Sequence, residues 1–196
     1  MRRLLPRMSH IHLLLAAAIS FAVVLPASAT VLHYRCPLNG ANEAPPNAST
    51  GTGNVEVTID DVANTMRVAS VFSTLLGNTT ACHIHAPTAV AGTGTASVAT
   101  MTPFFTGFPT GVPNGGFDTT FDLTLTSTYN SPFVTANGGT AAGAEAALLA
   151  DILAGKAYFN IHSTVVPGGE IRGFLQPFDP TPTLSTTWGR VKALYR

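Results

Sequence analysis

The chain has 196 residues with ten basic and ten acidic side chains, and only 10% of its residues are charged. Three of the ten basic residues, Arg2, Arg3 and Arg7, precede an apolar run, so the rest carries seven basic against ten acidic residues and no basic stripe. That balance speaks against nucleic acid as a partner and against strong steering of an ionic ligand.

Residues 1–29 read as an export signal. The basic start is followed by a mostly apolar stretch from Ile11 to Leu25, and Ala27-Ser28-Ala29 is an A-x-A cleavage site. The run is shorter than the roughly 20 residues a membrane-spanning helix needs, and nothing later is apolar enough to cross, so no membrane span is expected after cleavage. The expected location is secreted or periplasmic. Residues 30–176 form one domain of sufficient size for a core, and residues 177–196 form a Pro/Thr-rich linker with a short basic tail.

Val31 to Leu38 is the first strand, with Leu32, Tyr34, Cys36 and Leu38 on one side. Asn39-Gly40 and the pair Pro45-Pro46 end it. Asn54 to Asp60 and Thr65 to Phe72 alternate apolar and polar residues about a turn at Asp60-Asp61, which predicts a hairpin. Cys82-His83-Ile84-His85 alternates in the same way. Residues 86–118 are rich in Gly, Pro and Thr, with a short strand candidate at Ala96 to Met101. Phe104, Phe105 and Phe108 in this segment read as a lid on the core, and its exposed parts as a contact surface. Thr119 to Thr126 alternates Phe121, Leu123 and Leu125 with polar residues and predicts another strand. Residues 140–154 predict one short helix ending at Gly155, packed through Leu149, Ile152 and Leu153. Tyr158 to Leu175 then predicts a hairpin whose connection is Val165 to Gly169. The fold class is all-β: an antiparallel β-sandwich with Greek-key-like connections and one short helix, with a small barrel as the alternative.

Two cysteines remain beyond the signal. Cys36 and Cys82 both fall on core-facing positions, and export places them in an oxidising compartment, so a Cys36–Cys82 disulfide is expected, with two buried free thiols as the alternative.

Four stretches carry a resemblance. Leu38-Asn39-Gly40-Ala41-Asn42-Glu43-Ala44-Pro45-Pro46, His83-Ile84-His85-Ala86-Pro87, Tyr158-Phe159-Asn160-Ile161-His162-Ser163 and Pro167-Gly168-Gly169-Glu170-Ile171-Arg172-Gly173 resemble, in order, the motifs of the CHRD domain named after chordin. The resemblance implies an extracellular β-rich module. In chordin such modules sit in a secreted antagonist of bone morphogenetic proteins, and microbial members often stand alone. The cysteine-rich modules that accompany the domain in chordin are missing here, so antagonism does not carry over.

The chemistry lies in the polar side of these motifs. Residues i and i+2 of a strand point the same way, so His83 and His85 can converge on one ion, with His162 from a neighbouring strand as third ligand. Three imidazoles suit copper or zinc. A His-x-His strand plus a distant His resembles copper–zinc superoxide dismutase, without that enzyme's second cluster or bridging histidine. A symmetric hairpin would set Arg172 beside His162. The competing reading is a structural network in which Glu170 accepts from histidine and from Arg172 while Asn160 ties strands together. A third is an anion or carboxylate site built from Arg172 and the histidines. Two functions follow. One is a secreted, non-catalytic binding or structural module that needs no cofactor and meets an unidentified extracellular protein or surface. The other is a mononuclear copper or zinc metalloprotein with a superoxide-dismutase-like three-His site.

Overall fold

The computed structural model describes residues 31–180, so the export signal at 1–29 and residues 181–196 of the tail lie outside the described residues. The chain runs β1 (Val31–Asn39), β2 (Thr52–Asp60), β3 (Thr65–Ser73), β4 (Thr79–His85), β5 (Gly115–Asp122), α1 (Ser131–Ala136), α2 (Ala141–Leu153), β6 (Tyr158–Ser163), β7 (Ile171–Phe174) and β8 (Gln176–Pro177). The strands form one sheet in the order β4-β6-β7-β1-β2-β3-β5, with β8 pairing β1.

The period-two pattern explains the central strands. Val55, Val57 and Ile59 of β2 and Met66 and Val68 of β3 are fully buried, and their neighbours in sequence are not. Asp60 Oδ1 accepts from the backbone N–H groups of Val62 (3.1 Å) and Ala63 (2.8 Å), which closes the β2–β3 hairpin in the predicted place.

The all-β class with a short helix holds. The strands make a single continuous sheet that curls into a half-barrel, in place of two facing sheets. At Thr79 the outer strand β4 is tied to the segment that leads into the other outer strand, β5. Thr79 donates through N–H to Val112 O (2.9 Å) and through Oγ1 to Pro109 O (2.7 Å), and its carbonyl accepts from Gly111 (2.8 Å). The concave side is filled by Phe105, which lies 5.1 Å from the Phe121 ring and 6.2 Å from those of Phe117 and Phe159. Phe105 and Phe108 are buried, so the phenylalanine-rich segment is part of the core. Deleting 103–116 would therefore remove core, and a partner-binding role of that segment is not separable from folding.

Several expectations are corrected. β5 lies earlier than the Thr119–Thr126 pattern. Asp122 Oδ1 accepts from Thr124 N–H (2.8 Å) and Oγ1 (2.6 Å), and this local turn ends the ladder before Leu125, which is exposed. Ala96 to Met101 makes only isolated bridges, His85 with Val98 and Thr100 with Tyr129. The predicted helix is α2, capped by Thr140 Oγ1 accepting from Gly143 N–H at 3.1 Å. It packs through Ala144, Leu148 and Ile152, while Leu153 is exposed. α1 was not expected. The start of the expected linker at 177 continues the sheet: after Gln176 pairs with Arg35, Pro177 pairs with Tyr34, and Phe178 N–H donates to His33 O at 3.0 Å.

The Cys36–Cys82 disulfide is not formed; both residues are free, buried thiols. The reason is topological. Cys36 is on β1 and Cys82 on β4, with β7 and β6 between them. Three strand spacings are about 14 Å along the sheet, whereas bridged Cα atoms lie roughly 4.4–6.8 Å apart. Cys36 Sγ instead donates to Gly173 O at 3.2 Å, and burial pushes its thiol up to about 12.

Candidate metal centre

β6 sits between β4 and β7, and the register fixes which side chains share a face. His83 pairs with Asn160, His85 with Tyr158 and Ala81 with His162. On the other side Asn160 pairs with Arg172 and Tyr158 with Phe174. His83, His85, Tyr158, Asn160, His162, Arg172 and Phe174 therefore line one face, and Ile84, Phe159, Ile161 and Ile171 are fully buried on the opposite face, as the alternation predicts. The hairpin register differs from the symmetric expectation. Arg172 faces Asn160, two residues from where it would sit beside His162.

The three imidazoles do meet. Ring centroids are 5.1 Å apart for His83–His162, 5.4 Å for His83–His85 and 6.2 Å for His85–His162. One nitrogen from each ring lies within 4.8 Å of the other two. In two of the three rings the second nitrogen is tied to backbone. His85 Nδ1 donates to Ala96 O at 2.9 Å and His162 Nδ1 to Pro167 O at 2.8 Å. The Pro103 backbone lies near the His83 ring and slightly opposes the lowering of its titration, and His83 Nδ1 has no hydrogen-bond partner. The Ala96 and Pro167 carbonyls fix the tautomers of His85 and His162, leaving their Nε2 atoms as bare lone pairs; these two atoms and His83 Nδ1 are buried and without hydrogen-bond partners. Burial is also the main reason all three titrate low. His83 falls to about 4, aided by the neighbouring His162 and His85, and His85 falls to about 4. His162 is lowered by burial as well. At neutral pH the cluster is three uncharged acceptors facing one another with no donor between them.

The rest of the predicted polar set divides. Asn160 Nδ2 donates to Glu43 Oε1 at 2.7 Å. Arg172 donates through Nε to Asn42 O (2.5 Å) and through NH1 to Gly94 O (3.0 Å), and lies 3.8 Å from Glu43 Oε2. Its guanidinium is 4.7 Å from the Tyr158 ring centre, and Tyr158 stacks on His85 at 4.7 Å. Glu170 is elsewhere. It accepts from Ser49 Oγ (2.5 Å) and from the N–H groups of Leu76 (2.5 Å) and Gly77 (3.4 Å), so the predicted bonds from histidine and Arg172 to Glu170 are not made. Burial pushes Glu170 up, but hydrogen bonds from Ser163, Ser49, Leu76 and Gly77 outweigh it and hold the carboxyl below its ordinary value. Glu170 is a brace between the β7 start and the loops at 49 and 76. His33 stands apart, with Nδ1 3.3 Å from Thr58 Oγ1.

A family model of the CHRD domain matches residues 34–175. The chain belongs to the CHRD family. No curated protein and no solved structure matches it. The four motifs that carried the CHRD resemblance meet at this one place. The β4 motif supplies His83 and His85, and the β6 motif supplies Asn160 and His162. The β7 motif supplies Arg172, and the turn after β1 supplies Glu43. Gly169 belongs to the same junction: at φ +128° it passes so close that a Cβ would overlap Asn160 Nδ2 and come within 2.9 Å of Glu43 Oε1.

Glu43 is the residue that sequence reasoning missed. It is buried, and burial pushes its carboxyl up to about 7 against the pull of Arg172 and the Ala44 N–H. The available signal was an acidic residue inside a motif otherwise made of Asn, Gly, Ala and Pro, but nothing local to that turn points to β6.

Proposed function

We propose that this chain is an exported CHRD module whose binding function is to hold one copper or zinc ion through His83, His85 and His162. One observation carries this reading. Three buried ring nitrogens without hydrogen-bond partners converge, two of them with their tautomers set by carbonyls on the far side of the ring. An uncharged acceptor trio in a buried position leaves each lone pair unsatisfied, at about 1–3 kcal/mol per group. A cation removes that cost. Ligation at about 2.0–2.1 Å places tetrahedral donors about 3.4 Å apart, so side-chain rotations of little more than an ångström close the set. Donor chemistry favours Cu or Zn over Mg or Ca, which take oxygen ligands. Among the described residues this is the one group of three or more His, Cys, Asp or Glu side chains close enough to share an ion. A mononuclear binding role fits that better than the paired-metal chemistry of copper–zinc superoxide dismutase.

Calorimetric titration of the purified protein with Cu(II) and with Zn(II) tests the reading. One ion per chain is expected, with affinity falling more than tenfold in His83→Ala and in His162→Ala. Binding no tighter than that of an unrelated protein of similar histidine content overturns it.

A further inference from the structure

Among the described residues, the buried side-chain N and O atoms without a hydrogen-bond partner are Ser70 Oγ, His83 Nδ1, His85 Nε2, His162 Nε2 and Asn160 Oδ1. Ser70 is on β3, far along the sheet. The other four lie on neighbouring positions of one sheet face, and all four are acceptors. Asn160 is 2% exposed and pairs directly with His83 across the β4–β6 ladder. Buried amide oxygens are rarely left without a donor, and the amide here is not free to turn and find one. Its Nδ2 is 2.7 Å from Glu43 Oε1, and with Glu43 ionised the flipped orientation would bring two oxygen acceptors together at that distance. Gly169 packs against the same Nδ2. Glu43 is itself held by Arg172, 3.8 Å from its other oxygen. The Glu43–Asn160 contact thus works as a lock that points a carbonyl oxygen away from itself.

We infer that Asn160 is the fourth member of the site: its Oδ1 is the oxygen that meets the ion, or the water the ion carries, at the position the three histidines leave open. This rests on the metal reading and adds a selectivity to it. The imidazoles select Zn or Cu, and a hard amide oxygen beside them adds more to the harder Zn(II) and Cu(II) than to soft Cu(I), which two or three imidazoles satisfy. Asn160 is a specificity-determining residue, and Glu43 a positioning residue acting through it.

The experiment compares wild type, Asn160→Leu and Glu43→Gln. Leucine keeps the bulk and removes the oxygen. Glutamine at 43 offers an NH2 to Asn160 Oδ1, so the amide loses its single orientation. Zn(II) affinity is read by competition with a chromophoric chelator, Cu(I) affinity likewise under anaerobic reduction, and Cu(II) ligation by electron paramagnetic resonance. In Asn160→Leu, Zn(II) affinity is expected to fall at least tenfold, the range for groups around a metal's direct ligands. The Cu(II) hyperfine splitting is expected to shift, and Cu(I) affinity to stay within about threefold. Glu43→Gln is expected to shift the Cu(II) spectrum in the same sense. Retained Cu(I) binding doubles as the control for folding. If Asn160→Leu loses every metal through misfolding, Glu43→Gln decides, and an unchanged Cu(II) spectrum there overturns the inference. Wild-type Zn(II) affinity and spectrum in a folded Asn160→Leu also overturn it, with the three-histidine site intact. Wild type that binds no metal overturns the three-histidine reading itself.

Discussion

The side chains at the junction titrate in opposite senses, and this gives the metal-free protein a distinctive pH response. In an unfolded chain the imidazoles take protons near pH 6.5, but in the fold His83 and His85 do so only at about 4. Between those values the unfolded state holds more protons, so their contribution to stability is lost as pH falls from about 6.5 to about 4. Glu43 does the reverse. Its carboxyl moves from an ordinary 4.5 up to about 7, so the folded state holds the extra proton and stability is lost as pH rises through that interval. The slopes oppose each other between pH 4.5 and 6.5. Glu43→Gln removes one of them. The thermal midpoint of the metal-free variant is expected to rise more steeply with pH across that window than the wild type's. Parallel profiles would mean that Glu43 does not titrate as its burial requires. The same burial makes the histidines poor bases, so protons compete weakly with metal until the solution is distinctly acidic.

At the scale of elements, the site depends on close backbone approaches as much as on ligands. Gly173 lets β7 lie against β1, where a Cβ would overlap Pro37 O. Gly169 lets the turn before β7 close over the Asn160–Glu43 contact. Gly169→Ala combines a positive φ with that overlap. It is expected to destabilise the fold by about 1–3 kcal/mol and, by displacing Asn160, to weaken Zn(II) binding. Chemical denaturation of the metal-free protein and chelator competition measure the two effects, and an Ala variant as stable and as tight as wild type would show that the contact is slack. Asn47 has a comparable structural duty. Its Nδ2 donates to the carbonyls of Gly169 (3.2 Å) and Glu170 (3.0 Å), so its side chain is committed to holding the same turn.

Over the whole molecule, the half-barrel keeps its two thiols apart and dry. Cys36 and Cys82 are both fully buried and both pushed far up by burial, so neither is a ready nucleophile. Alkylation under denaturing, non-reducing conditions is expected to label two thiols per chain, with no increase after reduction. The intact mass of the exported protein in the same experiment is expected to begin at Thr30. One thiol pair appearing only on reduction would require β1 and β4 to pack differently from the order described. No helix among the described residues is long and apolar enough to cross a membrane.

The strands were legible from sequence because each has one packed face, and alternation records a face wherever it falls. That is why His83, His85, Asn160, His162 and Arg172 could be assigned to one side before any pairing was known, whereas Glu170, assigned to that side by the same alternation, precedes β7 and turns to Ser49, Leu76 and Gly77. Alternation is silent about which strand lies beside which. The 158–174 register, the seven-strand path with β4 and β5 at its ends, and the distance between the cysteines all follow from long-range hydrogen bonding. Glu43 reaches Asn160 across 117 residues of chain. A partner that remote leaves no periodic trace, because burial of a charge is decided by what folds over it and not by its neighbours in sequence.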